Sequence, residues 1–473
     1  MHPGLVSQLS LEPSHSVSVG LRGEWNTVIG IEVHAQLKTR YKLFSGAVTR
    51  VCWTPPLTEQ VAADTPIARL TNAPNTHVSL FDAAFPGTLP VLNPQCVEAA
   101  VRAAVALDAD VQPKSTFDRK HYFYPDLPAG YQITQKYAPY ALGGSLLLQK
   151  TQKKVRLKQL QIEQDTGKSH ADASTGGHAI DLNRANSALV EIVSEPDMRS
   201  VASSEEAADF VRSLQLLLRT VGVSNAQMED GSMRCDVNVS VHRTGDQWGT
   251  RCEIKNLNSV RSLTVAINYE VQRQQQLLES GQVVRQETRG FDEDHIETYS
   301  LRSKEDAPDY RYLPDSNLPP IIIDSMYIDR IEQTMPELPA ALTHRLHMEY
   351  SLNEKSAAAL VALDMKMVSA EHVAALSELV RSGDITYAVG RKVLDELLSR
   401  PVGTSSPADI VQELGLVKVD SADELETWCL HESAAFKNGT ERVIGKMVGY
   451  VRRLSQGRAD PSAIESTLRR LLK

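Results

Sequence analysis

Four side chains in this 473-residue sequence are of the types that hold a hard divalent cation: Glu32, His34, Glu163 and Glu191. Carboxylates and one imidazole from three separate strand-like runs can hold Mg²⁺ or Mn²⁺ against phosphates. From Ile31 to Lys38 apolar and polar residues alternate, so Glu32, His34, Gln36 and Lys38 share one strand face. Alternate residues on a strand lie about 7 Å apart, near enough for Glu32 and His34 to converge on one ligand. Glu191 stands inside Leu189-Val190-Glu191-Ile192-Val193, whose apolar flanks predict a buried strand in which a lone carboxylate is costly. Two ordinary alternatives stay open: Glu191 pairs with an arginine such as Arg184, or Glu163 and Asp165 form a plain acidic turn.

Other segments offer phosphate and base contacts. Between Phe117 and Gln132, Arg119 and Lys120 are interleaved with Tyr122, Tyr124 and Tyr131, a composition suited to a phosphate and a stacked base, or to a rigid Pro/Tyr loop. Lys255 precedes Asn256 and Asn258 at a predicted strand-to-helix junction, where amides beside helix N–H donors bind an anion or simply cap the helix. Lys304 and Arg311 lie in a mixed-charge run that reads as a solvated loop or as a phosphate contact. From Glu441 to Lys473, six arginines and two lysines face three acids, so Arg452, Arg453 and Arg458 belong to a basic patch able to follow an RNA backbone. No P-loop, dinucleotide fingerprint, nucleophile elbow or zincin helix is present.

The elements that must position these groups are legible in outline. Arg234, Asp236, Asn238 and Ser240 alternate with Cys235, Val237, Val239 and Val241, and Glu253 and Lys255 flank Ile254. The two runs form a candidate hairpin around Gly245. A helix is expected from an N-cap at Asn258 or Ser259 to about Ser280, stopped by Gly281. From Trp25 to about Asp324 strands and Gly/Pro-rich loops dominate; after Pro319-Pro320 the texture turns helical. The expected division is residues 1–24 as an extension, 25–325 as a catalytic domain, 326–367 as a helical domain and 368–473 as a helical tail.

Composition narrows the class. Apolar residues make up 42%, charged residues 23%, and the net charge is −9, so a nucleic-acid partner must be met by a local patch. Five isolated cysteines without a C-x-x-C pair suit a reducing compartment and exclude a disulfide framework. No apolar run is long enough to span a bilayer, so no membrane partner is expected. Residues 1–24 show no apolar core with a cleavage site and no Arg-rich amphipathic pattern, leaving organelle targeting poorly marked.

Gly30 to His34, Phe85 to Asn93, Asp118 to Gln132, Asp181 to Arg184, Glu191 to Asp197, Met233 to Ser240, Glu253 to Ser259, Glu287 to Gly290 and Arg302 to Pro314 together resemble the GatB/GatE family of glutamyl-tRNA(Gln) amidotransferases. The resemblance runs from about Trp25 to the C-terminus. It implies an α+β fold: a cradle-like domain with an antiparallel sheet, a helical domain and a small all-helical tail resembling the YqeY family. It also implies a ligase using ATP and Mg²⁺ to phosphorylate the glutamyl group of mischarged Glu-tRNA(Gln), then amidating it with glutamine-derived ammonia. The implied partners are an A-type amidase and a small third subunit of C-type or fungal F-type. The implied metal ligands are His34, Glu163 and Glu191, with Glu32 nearby.

The chain departs from the family pattern at Gln164, where a glutamate is usual, and at Asn186, Ala188 and Leu313. Lower metal affinity and a shifted loop before Glu191 are the expectations. Residues 75–84 carry no thiolates, so no structural zinc is expected, and the helical domain is shortened around 364–368. These features suggest a mitochondrial member, in the matrix, with a bacterial cytoplasmic protein as the alternative. A non-catalytic tRNA-binding scaffold is the competing functional reading.

Overall fold

The structure, a computed structural model, describes residues 24–49, 73–172, 176–199, 203–303, 309–350, 353–362, 368, 370–400, 405–418, 422–433 and 441–471. Residues 1–23, Lys304 and residues 363–367 lie outside the described residues. The fold is α+β. One compact unit comprises the residues up to Gln215 with Gly222–Gln333, and a second comprises Leu216–Val221 with Thr334–Lys473.

The first unit is built on a ten-stranded sheet. Its central strands are β1 (Trp25–Gln36), β4 (Lys154–Gln164), β5 (Ala188–Ser194), β6 (Met233–Arg243), β7 (Cys252–Leu257), β8 (Glu287–Asp292) and β9 (Glu297–Ser303). Their order is β9-β8-β7-β6-β1-β5-β4, followed by short strands at 141–142 and 110–111, and a tenth short strand, Ser145–Leu147, pairs with β4 beside this path. All these neighbours are antiparallel except β7 and β8, which are parallel and joined through helix α3 (Val260–Glu279), the third after α1 (Pro94–Ala106) and α2 (Ser203–Thr220). A parallel pair needs such a crossover, and α3 packs across β6, β7 and β9.

Alternation divides the sheet into two faces. Ile31, Val33 and Ala35 of β1, Val190 and Ile192 of β5, Leu160 and Ile162 of β4 and Val237 and Val239 of β6 are buried. Glu32, His34, Glu191, Arg234 and Asp236 point the other way. Within each run the phase is kept because a one-residue slip would send its apolar set to the polar side, and irregularities fall at Val193/Ser194 against β4 and Cys235/Val237 against β7. β1 begins six residues before the expected alternation and ends at Gln36, two residues before Lys38.

The expected β6–β7 hairpin is present. Ser259 caps α3, accepting from the Ser262 N–H at 3.0 Å, and Gly281 ends it at φ +75°, a left-handed conformation that glycine adopts without steric cost. A small second sheet pairs residues 313–314, β2 (Asp118–His121) and β3 (Tyr131–Thr134), and β3 lies against β4.

The second unit is helical. Val373, Leu376, Val389, Val393 and Ile410 form one apolar core, and Leu425, Met447, Val451, Ile464 and Leu468 form another. Among the described residues no helix is long and apolar enough to cross a membrane.

Candidate active site

Antiparallel register brings distant residues into one row across the polar face. Gln161 of β4 is opposite Glu191 of β5, Glu191 is opposite His34 of β1, and His34 is opposite Arg234 of β6. One step along, Glu32 faces Asp236. His34 Nε2 lies 3.6 Å from Glu191 Oε2 and 3.9 Å from Glu163 Oε1. One donor atom from each of His34, Glu163 and Glu191 falls within 4.8 Å of the others. Two carboxylates and an imidazole so clustered, with His34 and Glu163 in the wall of a cavity, fit a hard divalent cation. Arg184, the partner considered for Glu191, instead meets Asp165 at 3.5 Å.

Surrounding groups orient the carboxylates. Glu163 Oε1 accepts from Gln132 Nε2 at 2.6 Å and Oε2 accepts from Thr134 Oγ1 at 2.8 Å. Gln161 Nε2 donates to Glu191, and Asn238 Nδ2 donates to Glu32 at 3.2 Å. Burial pushes the Glu163 carboxyl above its ordinary value, and Glu191 adds to the rise. Burial has the same sense at Glu191, but the adjacent His34 outweighs it and holds that carboxyl below the usual range. Glu32 is raised by burial and by Glu191, Glu253 and Asp236. Burial disfavours the His34 imidazolium, yet Glu191 and Glu163 lift its pKa to about 9. A cation that recruits His34 must therefore displace its proton, so affinity falls as pH drops.

The cluster opens on a cavity of about 300 Å³ whose wall includes His34, Tyr122, Glu163, Arg234, Lys255 and Asn258. Residues 27–329 match the GatB/GatE catalytic domain, and residues 348–472 match a GatB domain. The chain belongs to the GatB/GatE family. It is 44% identical to the mitochondrial glutamyl-tRNA(Gln) amidotransferase B subunit of Laccaria bicolor, over 95% of this chain and 92% of that protein. The human protein of the same name is 38% identical, over 98% and 92%. The aspartyl/glutamyl-tRNA(Asn/Gln) amidotransferase B subunit of Ehrlichia canis is 39% identical, over 96% and 98%.

The remaining residues that sequence and family resemblance point to are distributed unevenly. Lys120 Nζ sits 4.8 Å from the centre of the Tyr310 ring and 5.8 Å from that of Tyr122, facing Glu163; burial disfavours its charge, but Glu163 holds its pKa above the ordinary value. Tyr122 donates to Gln132, which links it to Glu163. Lys255 is held by Asp236 and by Glu253 at 3.1 Å. Asn256 and Asn258 reach the cavity wall, Asn256 at φ +64°. Arg119 is bound by Asp315 at 2.8 Å and lies over the Tyr131 ring. Tyr124 is exposed beside Tyr122, and Arg311 points into solvent, 3.6 Å from Asp309. In the tail, Arg452 and Arg453 are exposed in the last turn of the helix Glu441–Leu454, and Arg458 lies against Trp428.

At the positions where the chain departs from the family pattern, the structure has local answers. Gln164 turns its Oε1 to the Ile133 N–H at 3.0 Å, outside the carboxylate cluster. Asn186 takes φ +65°, a conformation asparagine tolerates better than most residues, and its Nδ2 donates to Asp82. Asp82 also binds the fully buried Lys42 at 2.9 Å, which fastens the segment around residues 77–82 through protein groups. Sequence reasoning missed Gln132, Thr134 and Gln161. The one available signal was polar alternation in Gln132-Ile133-Thr134 and Gln161-Ile162-Glu163.

Proposed function

We propose that this chain is the B-type component of a glutamyl-tRNA(Gln) amidotransferase, acting with an A-type amidase and a small third subunit, of C-type or F-type. Its substrates would be mischarged Glu-tRNA(Gln) and ATP, and its compartment the mitochondrial matrix, in keeping with the mitochondrial names of the Laccaria and human relatives. The observation that carries the reading is the meeting of His34, Glu163 and Glu191 on one polar face beside Lys120.

The glutamyl γ-carboxylate is ionised near neutral pH, so no general base is required. Its oxygen attacks the γ-phosphorus of ATP, forming an acyl phosphate and releasing ADP. Ammonia then attacks the acyl carbon, phosphate departs, and loss of a proton leaves the amide. The first step brings two anions together, so its barrier is largely electrostatic. His34, Glu163 and Glu191 would hold Mg²⁺, which supplies positive charge against that repulsion. Gln132, Thr134 and Gln161 keep the carboxylates aimed, and Lys120 presents a cation to the phosphates. Arg452, Arg453 and Arg458 would follow the tRNA backbone.

The test is glutamyl phosphate formation by the reconstituted complex. Glu191→Ala should abolish it while Glu-tRNA(Gln) binding persists. A wild-type rate in that variant would remove the assigned metal role and leave the scaffold reading, under which only tail changes such as Arg452→Glu with Arg453→Glu are damaging.

A further inference from the structure

Arg234 lies at a junction that the reaction above does not use. It lines the 300 Å³ cavity and also a second cavity of about 510 Å³, and Leu257 and Asn258 line both as well. The second cavity is also bordered by Lys168 and Arg184 and by Asp181, Glu229 and Asp230, a wall of mixed charge. Across β1 and β6, Arg234 is the residue opposite His34, so its side chain leaves the sheet on the same face as the carboxylate cluster.

Its guanidinium is fastened at one nitrogen only. Nη2 donates to Asp165 Oδ1 at 2.8 Å, and among the described residues its other N–H groups have no hydrogen-bond partner. The side chain keeps 37% of its surface accessible. Two other arginines of this unit show what purely structural service looks like. Arg289 is 9% accessible and donates through Nε, Nη1 and Nη2 to Thr298 and Glu287. Arg184 donates to the carbonyls of Thr166 and Gly167 at 3.0 and 2.6 Å. Arg234 alone among these three donates through a single nitrogen and lines a cavity with the rest of its fork unbonded.

Asp165 is well placed to aim that fork. It is 3% accessible just past the end of β4, two residues beyond Glu163. Its Oδ1 also accepts from the Thr166 N–H, its own N–H donates to the Ser187 carbonyl, and its carbonyl accepts from Asn186. The loop that carries Glu191 into β5 therefore also fixes Asp165. Without this anchor the guanidinium could swing onto Glu163 or Asp236, both close enough to attract it, and would compete there with a bound cation.

We propose that Arg234 binds a phosphate of the nucleotide where the two cavities meet, and that Asp165 is the positioning residue that holds its donor fork off the metal-binding carboxylates. This rests on the ATP reading given above. A planar fork with free N–H groups suits two phosphate oxygens at once, a geometry that lysine cannot reproduce.

The test measures ATP binding and Mn²⁺ binding separately, on the reconstituted complex, by calorimetry and electron paramagnetic resonance. Arg234→Gln should weaken ATP binding by roughly 10- to 100-fold, the range of one lost charge-assisted contact, with Arg234→Lys in between and Mn²⁺ affinity undiminished. Asp165→Asn should raise the KM for ATP but not that for Glu-tRNA(Gln), and should add nothing to Arg234→Gln in the double variant. Unchanged ATP binding in Arg234→Gln, a parallel loss of Mn²⁺, or full additivity would each overturn the assignment. If wild-type complex binds no ATP, the nucleotide reading itself falls, a result distinct from any of these.

Discussion

Glu163 and Glu270, two of the buried carboxylates of the first unit, differ in how completely each is matched by donors. Glu270 of α3 is fully buried and accepts from Arg273 at 2.7 and 2.9 Å, Gln274 at 2.7 Å and Thr298 at 2.9 Å, with Arg289 at 3.3 Å. Burial alone would raise its pKa, but Arg273 and Gln274 outweigh that and hold it below the ordinary value. Glu163, equally deep, accepts from two neutral donors; burial and the Glu191 carboxylate outweigh Lys120 and His34 nearby, and it is raised. The same side chain at similar depth is thus a structural joint in one place and a poised, under-compensated anion in the other. Unmatched charge stored in a cavity wall is characteristic of functional sites, because it favours binding of a cation that water cannot replace.

The contrast predicts opposite failures. Glu270→Gln leaves two arginines facing an amide and should cost about 3–5 kcal/mol of stability, read as a fall in the denaturation midpoint. Activity should fall only as far as the folded fraction does. Glu163→Gln should reduce glutamyl phosphate formation by about 10²–10³-fold without lowering the midpoint, since it removes an under-compensated charge from a crowded cluster. If the two variants behaved alike, the distinction between matched and unmatched carboxylates would fail.

Acid sharpens the same point. The native pKa of Glu270 lies below the ordinary 4.5, so its stabilisation is complete above that value and is lost as pH falls through the lowered native one. The stability gap between wild type and Glu270→Gln should therefore be widest near neutrality and close progressively below about pH 4.5, as followed by urea unfolding at a series of pH values. A gap that widened on acidification would reverse the assigned sign.

Sequence patterning reveals one of these sites and hides the other for a physical reason. Glu32, His34 and Glu191 interrupt period-two apolar runs, and a polar residue in a buried strand is conspicuous within a few positions. Glu270 sits in Val260–Glu279 among Gln, Arg and Glu residues at helical spacing, where it reads as an ordinary solvent-facing acid. Its burial comes from β8 and β9, which supply Arg289 and Thr298 from some 20 to 30 residues away in sequence. Arg234 escaped notice similarly: its alternation was plain, but its pairing with Asp165 depends on register across β4, β5, β1 and β6. Local pattern assigns faces, whereas charge matching is settled by strand order.

The finest form of the comparison uses two threonines. Thr134 Oγ1 donates to Glu163 at 2.8 Å and accepts from the neutral Gln161 amide at 3.3 Å, and Thr298 Oγ1 donates to Glu270 at 2.9 Å while accepting from the charged Arg289. Substitution by valine keeps shape and removes the hydroxyl at each site. At the matched carboxylate the loss should appear as stability, about 1–2 kcal/mol, because a buried hydrogen bond and an acceptor for Arg289 both disappear. At the unmatched one, Glu163 keeps its bond from Gln132 but is less firmly oriented, so Mn²⁺ affinity should drop by about 10-fold with little change in midpoint. Titrating both valine variants with Mn²⁺ and unfolding both in urea separates the two effects. Thr298→Val weakening the metal, or Thr134→Val acting only on stability, would mean that Glu163 is held for the fold and not for a ligand.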